Sequence, residues 1–211
     1  MWSRFPPEEY ATLAAFLGNP EKAWKMYRAL GDTIRGRLPG PAHAALAELE
    51  EKSKLKAVIT QNIDGLHQMA GSKNLIELHG DNRSLQCLAC GASDSAVEDC
   101  LRERSVPHCG LCDSPLKPNF VLFEEAVREM NKVDILLNSC DLLMVIGTSA
   151  TVYPAAEFPH RVLGQGGRIV EFNLEETSLT PSCQFSLQGR VDETVPRFVS
   201  MVLRVCTAER G

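Results

Sequence analysis

Apolar residues recur along the chain with two different spacings, which together predict alternating helices and strands. A helical spacing is typical of an amphipathic helix, and a short continuous apolar run is typical of a buried strand. The spacing predicts helical structure over residues 6–30, 40–54, 63–70, 125–139, 154–163 and 191–205, and a short helix near 95–104. The apolar runs predict strands over residues 56–60, 75–78, 120–123, 142–146, 168–172 and 184–187. This alternation is typical of an α/β fold, in which helices cover both faces of a Rossmann-like parallel sheet.

Two of the helices carry local signals beyond their spacing. Asn19 stands directly before Pro20, and an Asn cap followed by Pro at the first helical position is a common helix start. In the 40–54 segment the apolar side chains fall on one stripe, formed by Ala42, Ala45, Leu46 and Leu49. This stripe predicts the face that the helix buries.

A polar, turn-rich segment in the middle of the chain interrupts the alternation and contains two close cysteine pairs. Cys87 and Cys90 form the first pair, Cys109 and Cys112 form the second, and 18 residues separate the two pairs. Each Cys-x-x-Cys turn can present two thiolates to one metal, so the two turns predict a closed four-sulfur site for one structural zinc ion. The alternative is a group of four buried free thiols. His108 is a further candidate ligand, although four cysteines already complete the shell.

The cysteine segment is predicted to be a small insert in a larger domain. A chain of 211 residues with 44% apolar content fits one domain with such an insert. We expect residues 81–117 to form the zinc-binding module, and residues 1–80 and 118–211 to form the Rossmann-like domain. The zinc would fold a segment that has too few apolar residues to fold alone.

Charge and composition argue against several classes of function. A net charge of −5 and a pI of about 5.6 argue against a protein that binds nucleic acid mainly by electrostatic attraction. No segment reaches the roughly 18 uninterrupted apolar residues of a membrane span, and the N-terminal residues lack the apolar core of a signal peptide. We therefore expect a cytoplasmic protein with no direct nucleic-acid partner and no membrane partner.

Small and polar residues follow two of the predicted strands, at the sheet edge where parallel sheets bind ligands. Gly147, Thr148 and Ser149 end one strand, and Asn173 and Glu175 end the next. Small residues let a nucleotide approach the backbone, and an acceptor at the second strand end can hold ribose hydroxyls. The Gly-x-Gly-x-x-Gly fingerprint is absent. An ordinary crossover with a Thr or Ser helix cap therefore fits these residues about equally well.

A second polar cluster, Thr60, Gln61, Asn62 and Asp64, begins at the last residue of the first predicted strand. Thr60 or Asn62 could cap the next helix, but one cap leaves Gln61 and Asp64 unexplained. His79 ends another predicted strand, eight residues before the first paired cysteine. A histidine in this position can act as a general base near neutral pH, although a lone histidine is more often structural.

Taken in chain order, these motifs resemble those of one family. "TQNIDGLHQMAG", "IELHG", the two Cys-x-x-Cys pairs, "LKPNFVLFEE", "VIGTSATVYPAAEF" and "VEFNLEET" are similar to the motifs of sirtuins, which are NAD-dependent protein-lysine deacylases. The resemblance runs from Trp2 to about Leu203. It is strongest with the bacterial and archaeal members of the family.

The resemblance implies a role for each matching residue. The general base would be His79, and the residues that assist it by positioning would be Asn62 and Asp64. NAD would contact Gln61, Asn62 and Asp64 at its nicotinamide end, and at its adenosine end Gly147, Thr148, Ser149, Asn173, Leu174 and Val191. The substrate peptide would pair as an added strand with a backbone segment that includes Val121, Phe123 and Glu125. The structural zinc would be held, remote from the chemistry, by Cys87, Cys90, Cys109 and Cys112.

The implied reaction moves the acyl group of a modified lysine to ADP-ribose. The acyl oxygen displaces nicotinamide from the ribose C1′, and His79 then removes a proton from a ribose hydroxyl, which attacks the acyl carbon. Water completes the transfer and leaves free lysine, nicotinamide and an O-acyl-ADP-ribose. Asn62 and Asp64 would hold the reacting groups in attack geometry. The expected partners are therefore acyl-lysine proteins or peptides.

Two features depart from the sirtuin pattern. Family members begin with a strand, a Gly-Ala-Gly-x-Ser loop and a Gly-Ile-Pro-x-Phe-Arg segment, none of which occurs in these 211 residues. Without them we expect an incomplete sheet and half of the NAD pocket, through either a start assigned too late or a real truncation. The alternative function is then a catalytically impaired, zinc-stabilised binding module. In addition, Glu124 stands where the family has glycine, which we expect to alter peptide affinity or selectivity.

Overall fold

The computed structural model describes residues 3–95 and 97–208. Trp2, where the resemblance begins, lies outside these residues, as does residue 96 in the predicted 95–104 helix. The strands are β1 (Val58–Thr60), β2 (Leu75–Glu77), β3 (Gly80–Cys87), β4 (Ser93–Asp94), β5 (Leu116–Phe120), β6 (Leu142–Ile146), β7 (Arg168–Asn173) and β8 (Phe185–Gln188). The α-helices are α1 (Pro7–Tyr10), α2 (Leu13–Gly18), α3 (Pro20–Ile34), α4 (Pro41–Glu51), α5 (Leu66–Ala70), α6 (Val97–Arg102), α7 (Met130–Asn138), α8 (Phe158–Gly164) and α9 (Val191–Ala208).

The strands of the described residues pair in three sheets. β1 pairs with β2, and β3 lies between β4 and β5 and runs antiparallel to both. β6, β7 and β8 form a parallel sheet with β7 in the centre. The predicted α/β class with a parallel sheet and a cysteine-bearing insert is confirmed.

The chain divides into two compact units. The first contains Met1–Arg37, Thr60–Gly65 and Glu77–Arg128, and the second contains Leu38–Ile59, Leu66–Ile76 and Glu129–Gly211. The predicted boundaries, with a zinc module over residues 81–117 inserted in one Rossmann-like domain, stay a prediction.

Aromatic side chains fill the core of the first unit. Trp24 and Tyr27 on α3 are fully buried and pack edge to face, with ring centroids 5.6 Å apart. Tyr27 also packs edge to face on Phe120 of β5, at 5.3 Å. Trp24 Nε1 donates a hydrogen bond of 2.8 Å to Leu116 O, so the indole is both packed and satisfied. These contacts fix α3 against β5.

The predicted helical stretch over residues 6–30 is divided into α1, α2 and α3 by side-chain caps. Thr12 Oγ1 accepts a hydrogen bond from Ala15 N at 3.0 Å and begins α2. Asn19 Oδ1 accepts one from Lys22 N at 2.9 Å and begins α3, as predicted from the Asn-Pro signal. Each cap breaks the preceding helix, because the capping residue has a non-helical backbone.

The second unit places α4 and α9 against the parallel sheet. The predicted stripe of α4 is buried and shares one apolar cluster with Val195 and Val199 of α9 and with Phe172 of β7. β7 is buried along most of its length, as expected for the central strand of a covered parallel sheet. The strand–helix–strand unit from β6 through α8 to β7 is therefore present as the sequence predicts.

Further differences from the prediction lie around β3, β5 and α7. The strand predicted over residues 120–123 ends at Phe120, because the chain turns at Glu124, whose φ is +78°. The helix predicted from residue 125 begins only at Met130, after Glu129 with φ +55°. The polar segment after His79 was not predicted as a strand, yet it forms β3 because it pairs with β4 and β5 on either side.

Candidate active site and metal centre

The four paired cysteines converge in the first unit. Their sulfur atoms all lie within 4.8 Å of one another, and within the described residues no other group of this kind is found. Cys87 Sγ lies 3.5 Å from Cys112 Sγ, and Cys90 Sγ lies 3.6 Å from Cys109 Sγ. Four sulfurs at zinc–sulfur distances of about 2.3 Å in a tetrahedron are roughly 3.8 Å apart. The donor set and its spacing therefore fit a closed structural zinc site.

Two tight turns hold these sulfurs in place. Gly91 N donates to Cys87 O at 3.0 Å, with Gly91 at φ +76°. Asp113 N likewise donates to Cys109 O at 2.9 Å. His108 is not drawn into the cluster, because its Nδ1 lies 2.7 Å from Asp113 O. Four cysteines without a histidine ligand match the predicted shell.

His79, between β2 and β3, is held in one tautomer. Its Nδ1 lies 3.0 Å from Gln61 O. A carbonyl oxygen can only accept a hydrogen bond, so Nδ1 carries the hydrogen and Nε2 keeps its lone pair. Burial lowers the pKa of His79, and the hydrogen bond to Gln61 opposes this shift in part. The ring is therefore neutral near pH 7, the form that a general base requires.

The backbone around His79 is fixed as well as its ring. Val121 N donates to His79 O at 2.8 Å. Gly80 has φ +69°, and a Cβ there would collide with Asn119 O and with the Arg128 guanidinium. Only glycine leaves room for this close approach of Asn119 and Arg128. The hydrogen bond to His79 O and the packing around Gly80 therefore fix the backbone of both residues.

The polar residues after β1 form a loop and not a helix cap. α5 begins only at Leu66, beyond the reach of Thr60 or Asn62 as N-cap residues. Thr60 Oγ1 instead accepts a hydrogen bond from Asn62 N at 3.1 Å. The Asn62 side chain is exposed, and Gln61 and Asp64 are half-buried. The cap interpretation is therefore wrong for this loop, and the first unit brings Gln61 next to His79.

The predicted adenosine-end residues belong to the second unit and gather at the carboxyl ends of β6 and β7. Gly147 follows β6 with φ +60°, and the nearest side-chain atom to a Cβ built there is Val191 Cγ1, at 3.8 Å. Gly147 and Ser149 are exposed, and Thr148 is half-buried. An exposed glycine backbone beside two hydroxyl side chains fits the close approach of a nucleotide.

Asn173 ties these two strand ends together. Its Nδ2 donates to Thr148 O at 2.9 Å, and its Oδ1 accepts from Leu174 N at 2.9 Å. The Leu174 side chain is exposed. Asn173 thus fixes the loop after β6, and its second amide hydrogen and second lone pair remain for a ligand.

The segment after β5, predicted to pair with a substrate peptide, forms a turn. Phe123 N donates to Ala11 O at 2.9 Å, and Phe123 O accepts from Leu13 N at 3.0 Å. Glu125 Oε2 accepts from Leu122 N at 2.7 Å. Several of its backbone groups are therefore already paired inside the first unit, and pairing with a peptide as an added strand stays a prediction.

Lys117 is a buried charge that the motifs did not single out. It lies in β5 with a side chain 1% exposed, and its Nζ is 3.0 Å from Glu125 Oε2. The signal in the sequence is a lysine within the largely buried strand β5. Lysine is almost never fully buried unless it is paired, so this position indicates a buried ion pair.

Comparisons with known proteins show which family the chain is similar to. The model of the Sir2 family matches residues 1–154. An NAD-dependent protein deacylase of Pyrococcus abyssi is 41% identical over 212 residues, which cover 97% of this chain and 84% of the relative. A Sir2 homologue mutant in complex with ADP-ribose superimposes with a TM-score of 0.90 at 38% identity, covering 98% of this chain and 84% of that one. A complex of Sir2 with a p53 peptide and NAD⁺ has a TM-score of 0.84 at 36% identity, covering 90% and 81%.

The fold and these matches define an α/β protein of the NAD-dependent deacylase type, and its four-cysteine cluster is compatible with a structural zinc ion. The chain belongs to the Sir2 family, the sirtuins that its motifs resemble. Among the described residues, no helix combines the length and the apolar character that crossing a membrane requires.

Proposed function

We propose that this chain is an NAD-dependent protein-lysine deacylase, which transfers the acyl group of an acyl-lysine protein or peptide to ADP-ribose and releases nicotinamide. The observation that carries the proposal is the neutral His79, whose Nδ1 is held by Gln61 O and whose Nε2 is a free acceptor. The Pyrococcus abyssi relative is itself named an NAD-dependent protein deacylase.

Each predicted residue has a separate task in this proposal. His79 Nε2 accepts the proton of a ribose hydroxyl, and its lowered pKa keeps it able to do so near pH 7. Asn62 and Asp64 orient the reacting groups, together with Gln61. When bound, NAD supplies the ADP-ribose that receives the acyl group and the nicotinamide that leaves. At its adenosine end NAD is held by Gly147, Thr148, Ser149, Asn173, Leu174 and Val191.

The remaining predicted residues bind the peptide and the metal. Val121, Phe123 and Glu125 belong to the segment that contacts the acyl-lysine peptide. The cysteine site holds one zinc ion that stabilises the fold and takes no part in the reaction. The cytoplasmic location, and the lack of a nucleic-acid or membrane partner, stay predictions.

The proposal is tested by measuring nicotinamide release from NAD by the purified chain, with an acetyl-lysine peptide and with the same peptide unmodified. We expect release only with the acetylated peptide. His79→Ala is expected to reduce kcat by about 100-fold or more, because general base catalysis contributes on that order.

The matched control is His160→Ala, since His160 is an exposed histidine on α8 outside the proposed machinery. It should leave kcat unchanged. Near-normal turnover by His79→Ala would show that the base is assigned wrongly. Zinc-loaded wild-type chain that releases no nicotinamide with any acyl-lysine peptide would contradict the proposed function.

A further inference from the structure

A turn closed by Glu125 follows β5. Leu122 N donates to Glu125 Oε2 at 2.7 Å, and Glu125 N donates to Leu122 O at 3.1 Å. These two bonds close a ring between the residues, as a capping box does at a helix start. The conformation of the turn therefore depends on where the Glu125 carboxylate is held.

Lys117 holds the Glu125 carboxylate through an ion pair. Its Nζ lies 3.0 Å from Glu125 Oε2, and it also donates to Phe120 O at 2.5 Å and to Pro118 O at 3.4 Å. Burial lowers the pKa of Lys117, while the Glu125 charge opposes the shift. A buried ammonium is costly unless it is paired and hydrogen-bonded. All three partners lie in residues 118–125, so the cation and this segment fix each other.

The same segment contacts the proposed base through its backbone. Val121 N donates to His79 O at 2.8 Å, and Phe123 pairs through both backbone groups with Ala11 and Leu13. A shift of the turn would therefore move the backbone of Val121 and Phe123, which belong to the proposed peptide segment. The contact of His79 Nδ1 is made to Gln61 O, in the loop after β1, and does not involve the turn.

We propose that Lys117 is a positioning residue for the acyl-lysine peptide, acting through Glu125 to fix residues 118–125 in the conformation that the peptide binds. The inference rests on the proposed function and extends it. Glu125 then serves the peptide indirectly, because its carboxylate is already engaged by Lys117 and by Leu122 N.

Steady-state kinetics with varied acetyl-lysine peptide and saturating NAD test this role. Lys117→Met and Glu125→Gln should each raise the peptide KM by about tenfold while kcat stays within about threefold, because peptide binding is lost more than chemistry. The double variant should raise KM by less than the product of the single changes, since the two side chains act as one unit. The matched control is Lys22→Met, which breaks an exposed lysine–glutamate pair of 2.6 Å in the same unit.

Hydrogen exchange provides a second readout that does not depend on turnover. The amides of Val121 and Phe123 should exchange faster in Lys117→Met and Glu125→Gln than in Lys22→Met, with zinc content unchanged in all three. An unchanged peptide KM in an active enzyme, or unchanged exchange at these amides, would overturn the inference. If the wild type turns over no peptide, the proposed function fails, and the exchange rates alone decide whether Lys117 holds the segment.

Discussion

The chemistry at the scale of single residues depends on which nitrogen of His79 carries its hydrogen. Gln61 O, at 3.0 Å, accepts from Nδ1 and leaves Nε2 as the acceptor. The same ring in the opposite tautomer would present an N–H where a base is required. In the proposed function, this backbone contact leaves Nε2 as the atom that would accept the proton.

The lowered pKa of His79 predicts how activity depends on pH. A histidine whose pKa lies below its usual 6.5 is neutral above that value, and its base form is lost as the pH falls through the lowered pKa. We expect kcat/KM to be flat near pH 7 and to fall about tenfold per pH unit below an apparent pKa that lies under 6.5. A pH profile of nicotinamide release measures this dependence, and the His160→Ala variant should show the same fall in kcat/KM at low pH. An ascending limb centred above 6.5 would contradict the assignment.

The left-handed backbone of Glu124 predicts an order of stability among its variants. Its φ is +78°, and its Oε2 accepts a hydrogen bond from Ala14 N at 3.1 Å. Both Glu124→Ala and Glu124→Gly remove this bond, but only glycine adopts a positive φ without strain. The glycine variant should therefore be more stable than the alanine variant by about 1 kcal/mol. Urea unfolding compares the two, and equal free energies of unfolding would contradict the left-handed conformation.

Two cysteine turns organise the middle of the chain at the scale of elements. Cys87 ends β3, and the second turn leads through Ser114 into β5, whose Leu116 O accepts the hydrogen bond from Trp24 Nε1 at 2.8 Å. The metal site is therefore connected to the core of the first unit through one strand. Loss of the metal is therefore expected to change the environment of the Trp24 indole.

Zinc removal is predicted to unfold this part of the first unit. The purified chain should contain one zinc ion, and chelation should lower the Tm and shift tryptophan emission to the red, because Trp24 becomes exposed. Cys112→Ser should lose the metal. Cys100→Ser is the control, because Cys100 lies outside the four-cysteine cluster and should retain the zinc. A zinc content near zero in fresh wild-type protein would contradict the four-cysteine site.

The elements that sequence predicts best are those whose signals are local. The stripe of α4 and the cap of α3 need only neighbouring residues, and both are present. The end of β5 depends on hydrogen bonds from Phe123 to Ala11 and Leu13, more than 100 residues away, so the apolar run after Phe120 was misleading. β3 was missed because its residues are polar and only its pairing with β4 and β5 makes it a strand.

In the candidate site too, local sequence signals predict some features, while others depend on contacts between distant residues. The cysteine spacing alone predicts the metal cluster, which the structure brings together. The motif around His79 predicts a general base there but does not predict its tautomer, which depends on Gln61 O. The pairing of Lys117 with Glu125 follows from neither motif, because it requires the turn after β5.

At the scale of the whole molecule, the residues predicted for the nicotinamide end of NAD belong to the first unit, and those predicted for the adenosine end belong to the second. The family match and the Pyrococcus abyssi relative, which this chain covers over 84% of its length, make it a Sir2 protein. The central claim is that its acyl acceptor is ADP-ribose and not water.

The most direct test is to incubate the zinc-loaded chain with NAD and an acetyl-lysine peptide and to identify the small-molecule products by mass spectrometry. The account predicts nicotinamide and O-acetyl-ADP-ribose in equal amounts, both absent when the unmodified peptide is used. Free acetate formed while NAD stays intact, or an acetyl peptide left unchanged, would contradict it.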